Sequence, residues 1–192
     1  DLIMQKIKVS LVGYGYWGPK LARNFQNSNF FNLVSIIDNS INNLKKAKKD
    51  FPLAKVSANY ADILKNPSIS LVVVASPTKT HFKIAKFALE NKKNVLVEKP
   101  LSSSLNEVKK LEKLAKKNST CLFVDYPFLF SGSIKYVKKI IENKTYGKLM
   151  SIESFREQAP VRKDCNVIWD LAVHDISILN YILKGKPRSF SS

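Results

Sequence analysis

The chain opens with a rhythm that few folds can accommodate. Through the first 125 residues, short apolar, β-branched runs alternate with amphipathic stretches. The runs are KIKVSLV (6–12), NLVSIID (32–38), AKVSA (54–58), SISLVVVAS (68–76), NVLVEK (94–99) and TCLFVD (120–125). Several are apolar almost without a break, the pattern of strands buried on both faces. Helices are expected between them, over 17–27, 41–51, 60–64, 79–91 and 104–118. Ser40 and Asn59 stand where N-caps belong, SxxE at 104–107 fits a capping box, and Pro52 and Pro67 follow helix ends. Strand and helix alternating in this way imply right-handed βαβ units and a parallel sheet, an α/β fold. Six such strands make a complete doubly wound nucleotide-binding domain over residues 1–125.

After Asp125 the rhythm changes. PFLFSGSIKYVKKIIENKTYG (127–147) reads as a helix ending at Gly147, KLMSIESFRE (148–157) as one strand, and VIWDLAVHDISILNYILKG (167–185) as a long helix. One strand cannot make a sheet. Residues 126–192 are therefore expected to be the beginning of a second domain, and the chain the N-terminal part of a longer protein.

A net charge of +17 raises the question of a nucleic-acid partner. The distribution argues against one. Of 32 basic residues 28 are Lys, and they recur along predicted helices, as in KKAKK (45–49), VKKLEKLAKK (108–117) and KYVKK (135–139). Phosphate and base readers enrich Arg, and single-strand binders interleave aromatic residues, so these lysines read as solvated helix faces. The longest apolar run, 71–75, is far short of the roughly 20 residues a membrane-spanning helix needs, so no membrane is expected. The N-terminus lacks a secretory pattern, and a cytoplasmic location is expected by default. Cys121 and Cys165 have no CxxC partner and read as free thiols, Cys121 in a core strand, without a metal site or a disulfide.

The first run leads directly into VGYGYWGPK (12–20), a GxGxxG with a strand before it, a helix after it and an acidic residue at the end of the next strand. Gly13 would make the tight turn, Gly15 would let a pyrophosphate approach the backbone, and Gly18 would let the helix pack close to the sheet. The helix N-terminus then offers amides and a partial positive charge to the phosphates, with Tyr16 and Trp17 in the loop between. Pro19 suits the first turn because its missing N–H would have no intrahelical partner. Asp38 lies at the end of NLVSIID, where a carboxylate accepts both hydroxyls of the adenosine ribose. It would repel a 2′-phosphate, and Asn39 and Ser40 offer no cation to hold one, so the pattern selects NAD.

Two further strand ends carry chemistry. The fourth run ends in Ser76-Pro77-Thr78 with His81 one turn later, and the fifth in Glu98-Lys99-Pro100. Ligands bind at this carboxyl edge of a parallel sheet. Pro100 biases Lys99 toward an extended backbone that would aim its side chain off the edge. The bland alternatives are a surface lysine at 99 and, at 81, a histidine at a helix start satisfied by backbone. In WDLAVHD (169–175), Asp170 and His174 are four apart and share a helix face, close enough for the carboxylate to orient the imidazole. A core histidine paired with aspartate is the alternative there. Asp175 points about 100 degrees away and reads as a supporting or interdomain contact. Arg156, Arg162 and Lys163 read as solvated surface groups, with a substrate's phosphates as the other role open to them.

VGYGYWGP, SPTKTH, VEKP and WDLAVHD, in this order and covering nearly the whole chain, resemble the Gfo/Idh/MocA oxidoreductases. The resemblance implies an N-terminal Rossmann domain and a C-terminal α/β domain on a mostly antiparallel sheet, which binds a sugar, sugar nucleotide or polyol and mediates homo-oligomerisation. It maps the family's catalytic groups onto Lys99, Asp170 and His174. Within the family the loop and helix wording looks most like bacterial nucleotide-sugar dehydrogenases of polysaccharide biosynthesis. Together, these readings assign NAD contacts to Gly13, Gly15, Tyr16, Trp17, Gly18, Asp38, Ser76, Pro77, Thr78, His81, Glu98 and Lys99. The expected activity is NAD-dependent oxidation of a secondary alcohol. A dinucleotide-binding regulatory module without chemistry is the alternative.

Overall fold

The structure, a computed structural model, describes residues 5–157, 166–183, 185 and 187–189. The chain divides into two compact units, residues 1–125 and 126–192. Cys165, Arg162 and Lys163 lie outside the described residues.

In the first unit, strands β1 (Ile7–Val12), β2 (Phe31–Ile37), β3 (Lys55–Ser57), β4 (Leu71–Val74), β5 (Asn94–Glu98) and β6 (Leu122–Asp125) form one sheet. Helices α1 (Gly18–Gln26), α2 (Ile41–Asp50), α3 (Tyr60–Leu64), α4 (Thr78–Glu90) and α5 (Leu105–Lys117) connect them. All neighbours pair in parallel, in the order β3-β2-β1-β4-β5-β6. The order reverses between β1 and β4, which opens a crevice above their carboxyl ends, where ligands bind in such sheets.

Side-chain alternation divides the core in two. Val72 and Val74 of β4 and Val95 and Val97 of β5 pack with Ile84, Leu89 and Leu111 from α4 and α5. Val9 and Leu11 of β1, Leu33 and Ile36 of β2 and Val73 of β4 pack with Ala22 of α1 and Ala47 of α2. Continuous apolar runs are required because both faces are covered. The serines that interrupt β1 and β2 satisfy each other: Ser35 Oγ donates to Ser10 Oγ at 2.8 Å inside the core.

The three helix starts marked by a cap residue in the sequence are capped by it, one of them with only part of the expected bonding. Ser40 and Asn59 accept from the amides of Asn43 and Ala61. Ser104 caps α5 through the amide of Glu107, but the Glu107 carboxylate accepts from Ser102 Oγ instead of returning to the Ser104 amide, which donates to Ser102 Oγ. Only half of the expected capping box is made, because a second serine lies nearer the carboxylate. Cys121 is exposed, just ahead of β6, and its amide donates to Asn94 Oδ1, so it is not the core-strand residue the sequence suggested.

In the second unit a short 3-10 turn (Pro127–Phe130) precedes α6 (Gly132–Glu142). The helix ends five residues before the expected Gly147. A π-helical turn (Ile168–Ala172) runs into α7 (Val173–Leu183), which packs against α6. The strand expected at 148–157 is not formed; these residues are irregular. A strand needs a neighbour to take its backbone groups, and the described residues of this unit hold no strand to supply them. No helix of the described residues is long and apolar enough to cross a membrane.

Candidate NAD site and candidate active site

Four strand ends of the first unit supply the candidate cofactor residues. From β1 the chain enters the glycine loop. Gly13 has φ +103°, and a Cβ there would lie 2.5 Å from the carbonyl carbon of Ala75, so neither the turn nor the contact with the end of β4 tolerates a side chain. A Cβ at Gly15 would meet nothing within 4 Å, so open space lies above the backbone there. Gly18 packs α1 against the loop itself, since a Cβ would meet the Gly13 carbonyl oxygen at 2.4 Å. The expected close approach is therefore to the loop. Trp17 at the N-cap provides no side-chain cap, and Pro19 occupies the first turn. Pro19 has no amide, and the Lys20 and Leu21 amides donate to the Trp17 carbonyl, so at the opening of α1 it is the Gly18 amide that can meet an anion.

Tyr16 and Trp17 are exposed and meet edge to face at 5.4 Å, with Lys20 Nζ 3.9 Å from the first ring centroid and 4.0 Å from the second. This cation beside the loop was not singled out from sequence, where Lys20 is one of many lysines. Between the glycines, Tyr14 is buried. Its amide donates to Asp38 Oδ2 at 2.6 Å, while the Ser40 amide donates to Oδ1 at 2.8 Å. Asp38 is thus fixed as an acceptor at the end of β2, with lone pairs left for ribose hydroxyls. A deep glycine turn, open space over Gly15, an uncapped helix start and an oriented carboxylate fit a dinucleotide.

At the end of β4, Ser76 Oγ and Thr80 Oγ1 are 2.6 Å apart, and α4 begins after Pro77 with Thr78 as its first residue. His81 lies behind this edge, 1% exposed, with Nε2 2.7 Å from the Ser76 carbonyl and Nδ1 2.8 Å from the Pro100 carbonyl. Burial holds the imidazole below its ordinary pKa, while the two carbonyls pull the other way. The ring therefore ties the chain that leaves β4 to the chain that leaves β5. This is the backbone-satisfied role left open above.

Lys99 follows the last residue of β5, and its bond to Pro100 is cis. Glu98 and Asp125 stand side by side in the β5–β6 register. Asp125 was not singled out from sequence, although it ends the sixth run as Asp38 ends the second. Burial, then the Asp125 charge, push Glu98 up to about 7 against opposing contributions from Lys99, and burial also raises Asp125. A raised carboxyl pKa means that the folded state holds a proton the unfolded state has released. Stability contributed by this proton is complete below about 4.5 and is lost as pH rises through about 7. Denaturation midpoints are therefore expected to fall between pH 4.5 and 7. The loss should be of order 2 kcal/mol, and Glu98→Gln should flatten that part of the profile.

In the second unit, Asp170 and His174 are both buried, on either side of the junction between the π turn and α7. Such a local widening of a helix recurs at functional sites. His174 meets the edge of Phe128 at 4.9 Å, and its carbonyl accepts from Ser177 Oγ. Asp175 turns to a different partner: Arg156 Nε and Nη2 donate to its two oxygens at 2.9 and 3.1 Å, with Ser154 Oγ at 2.8 Å. The Arg156 guanidinium holds the Asp175 carboxyl below its usual range. It also lies over the Phe128 ring at 4.7 Å. Arg156 is thus a fixed structural cation, where the sequence suggested a solvated group.

The strand order, the glycine turn and the oriented carboxylate that follows β2 define a dinucleotide-binding protein of the doubly wound class. Residues 7–126 match the oxidoreductase family with an NAD-binding Rossmann fold. The chain belongs to this Gfo/Idh/MocA family and carries its NAD-binding fold. It is similar to myo-inositol 2-dehydrogenase of Thermotoga maritima, 28% identical over 184 residues, which are 92% of this chain and 55% of the relative. It is also similar to scyllo-inositol 2-dehydrogenase (NAD(+)) of Bacillus subtilis, 27% identical over 193 residues, 97% of this chain and 56% of the relative. The crystal structure of myo-inositol 2-dehydrogenase from Lactobacillus plantarum superposes with a TM-score of 0.81 at 25% identity, over 93% of this chain and 56% of that one. The chain spans about half the length of the curated relatives it matches.

Proposed function

We propose that this protein oxidises a secondary alcohol of a polyol or sugar with NAD. The observation that carries the reading is the carboxyl edge of the parallel sheet. There, Asp38, the open glycine loop and Lys99 follow the ends of β2, β1 and β5. The inositol dehydrogenases among its relatives favour a polyol substrate. When bound, NAD supplies the hydride acceptor, so the protein's residues have a proton and a developing charge to manage. His174 takes the hydroxyl proton as general base, Asp170 holds the imidazole tautomer, and Lys99 donates a hydrogen bond to the oxygen as it becomes a ketone. In the reverse direction His174 returns the proton. Lys99 and His174 are both chemically able to move that proton, and the pH profiles of their variants assign it. The carboxyl edge also offers Ser76, Pro77 and Glu98 to the nicotinamide end, and the Asp38 carboxylate selects NAD over its 2′-phosphorylated form.

The test is NADH fluorescence titration followed by NAD reduction with a panel of inositols and UDP-sugars. Turnover of an inositol is expected. Turnover of UDP-sugars alone would move the assignment to a sugar-nucleotide dehydrogenase, the subgroup its motifs resemble. NADH binding without turnover of either class would favour a regulatory module.

A further inference from the structure

Tyr14 is the residue of the glycine loop that GxGxxG leaves unspecified, and it is the one large side chain of residues 13–18 that is buried. Its ring packs among Leu11, Ala22, Ile36 and Ala47, edge-on to Phe51 at 6.4 Å. At the far end its hydroxyl donates to Asp50 Oδ2 at 2.8 Å. Burial, then Asp50, raise the Tyr14 pKa, so the proton stays on the phenol and the direction of this bond is fixed. At the near end the Tyr14 amide donates to Asp38 Oδ2.

Asp50 sits where its own helix does not favour a carboxylate. It is the last residue of α2, where a carboxylate faces the negative end of the helix dipole and lysines at 48 and 49 suit the position better. The side chain is on an exposed residue, yet it is held by a hydroxyl that reaches it through the core. One residue thus links three elements: the loop after β1, the carboxylate after β2 and the end of α2.

We propose that Tyr14 and Asp50 are positioning residues for NAD: their hydrogen bond sets the depth of the glycine loop and, through the Tyr14 amide, the orientation of the Asp38 carboxylate toward the adenosine ribose. This rests on the NAD reading above and names what sets the strength of that site. Neither side chain touches the cofactor. Tyr14 acts through its own backbone, and Asp50 acts through Tyr14. Loss of the bond frees a charged acceptor and lets the loop shift, so both the pyrophosphate cradle and the ribose carboxylate lose their preset geometry.

NAD and ADP-ribose dissociation constants, measured on the full chain by titration, test this with Tyr14→Phe, Asp50→Ala and the double variant. Each single substitution is expected to weaken both ligands about five- to tenfold. The double variant should be no weaker than the worse single one, because both changes remove the same bond. Asp50→Asn, which keeps an acceptor oxygen, should recover most of the affinity. Asp50→Ala changes an exposed residue and keeps the test in force should Tyr14→Phe fail to fold. Unchanged affinity in Asp50→Ala, or additive losses in the double variant, would overturn the proposal, as would a lower unfolding midpoint with unchanged NAD binding. Failure of the unsubstituted chain to bind NAD would instead remove the reading on which it rests.

Discussion

Replacing His174 or Lys99 by alanine should reduce turnover of the physiological alcohol by about 10²–10⁴-fold, the range a positioned acid or base contributes. NAD binding should change little in His174→Ala, because that residue lies in the second unit, outside the dinucleotide fold. The two variants should also differ in pH dependence. Removing the group that accepts the proton abolishes the rise of rate with pH, whereas removing the group that only donates to the ketone oxygen lowers the rate at all pH values alike. Steady-state kinetics with saturating NAD would measure both. Near-normal turnover in either variant would remove that residue from the catalytic assignment. Asp170→Asn should give a smaller loss than His174→Ala, since it disturbs the tautomer and leaves the base in place.

Alanine at Gly13 and alanine at Gly15 should have opposite consequences. At Gly13 the backbone sits at φ +103°, and the new methyl would press into the backbone of Ala75 and Ser76 at 2.5–2.6 Å. Those atoms follow directly on β4, where the Ala75 amide donates to the Val12 carbonyl, and they cannot move aside without disturbing the β1–β4 pairing, so a loss of about 3 kcal/mol or more is expected in chemical denaturation. At Gly15 the same methyl meets nothing within 4 Å, and φ lies outside the left-handed region. Stability should stay within about 1 kcal/mol of the parent. The methyl would nevertheless occupy the space a pyrophosphate needs, and NAD should bind about tenfold or more weakly, which is about 1.4 kcal/mol. A folded Gly15→Ala with unaltered NAD affinity would show that the phosphates lie elsewhere.

These residues also show which information lies along the chain and which does not. Helix α3 occupies the five residues that periodicity and capping indicated, and α1, α2, α4 and α5 differ from expectation by a residue or so at their ends. Gly13, Gly15 and Asp38 are legible because a turn at positive φ, an open backbone and a carboxylate at a strand end are local demands that one residue type meets. Where a local signal lacked its partner, the reading failed. Residues 148–157 carry a strand-like pattern and form none, because among the described residues of that unit nothing pairs with them. The capping box at 104–107 lost its second bond to Ser102, a competitor only two residues away.

A six-stranded parallel sheet, its glycine loop and the residue types at its carboxyl edge can be read from the order of residues alone. Covalent geometry, side-chain periodicity and helix capping act over a few residues and leave their mark in the order of the letters. It takes the folded chain to join Ser76 to Pro100 through His81, to set Glu98 beside Asp125, to bring Arg156 to Asp175 and to carry Tyr14 to Asp50. Each of these unions except His81 with Ser76 crosses 19 or more residues of chain. Those of the first unit are set by which strands become neighbours and which side of the sheet each helix covers, and that of Arg156 with Asp175 by the approach of residues 154–156 to α7; no periodicity in the sequence records either choice. The loop that cradles a dinucleotide is legible in VGYGYWG, whereas the bond that holds the loop at its depth lies in a tyrosine hydroxyl and an aspartate thirty-six residues away.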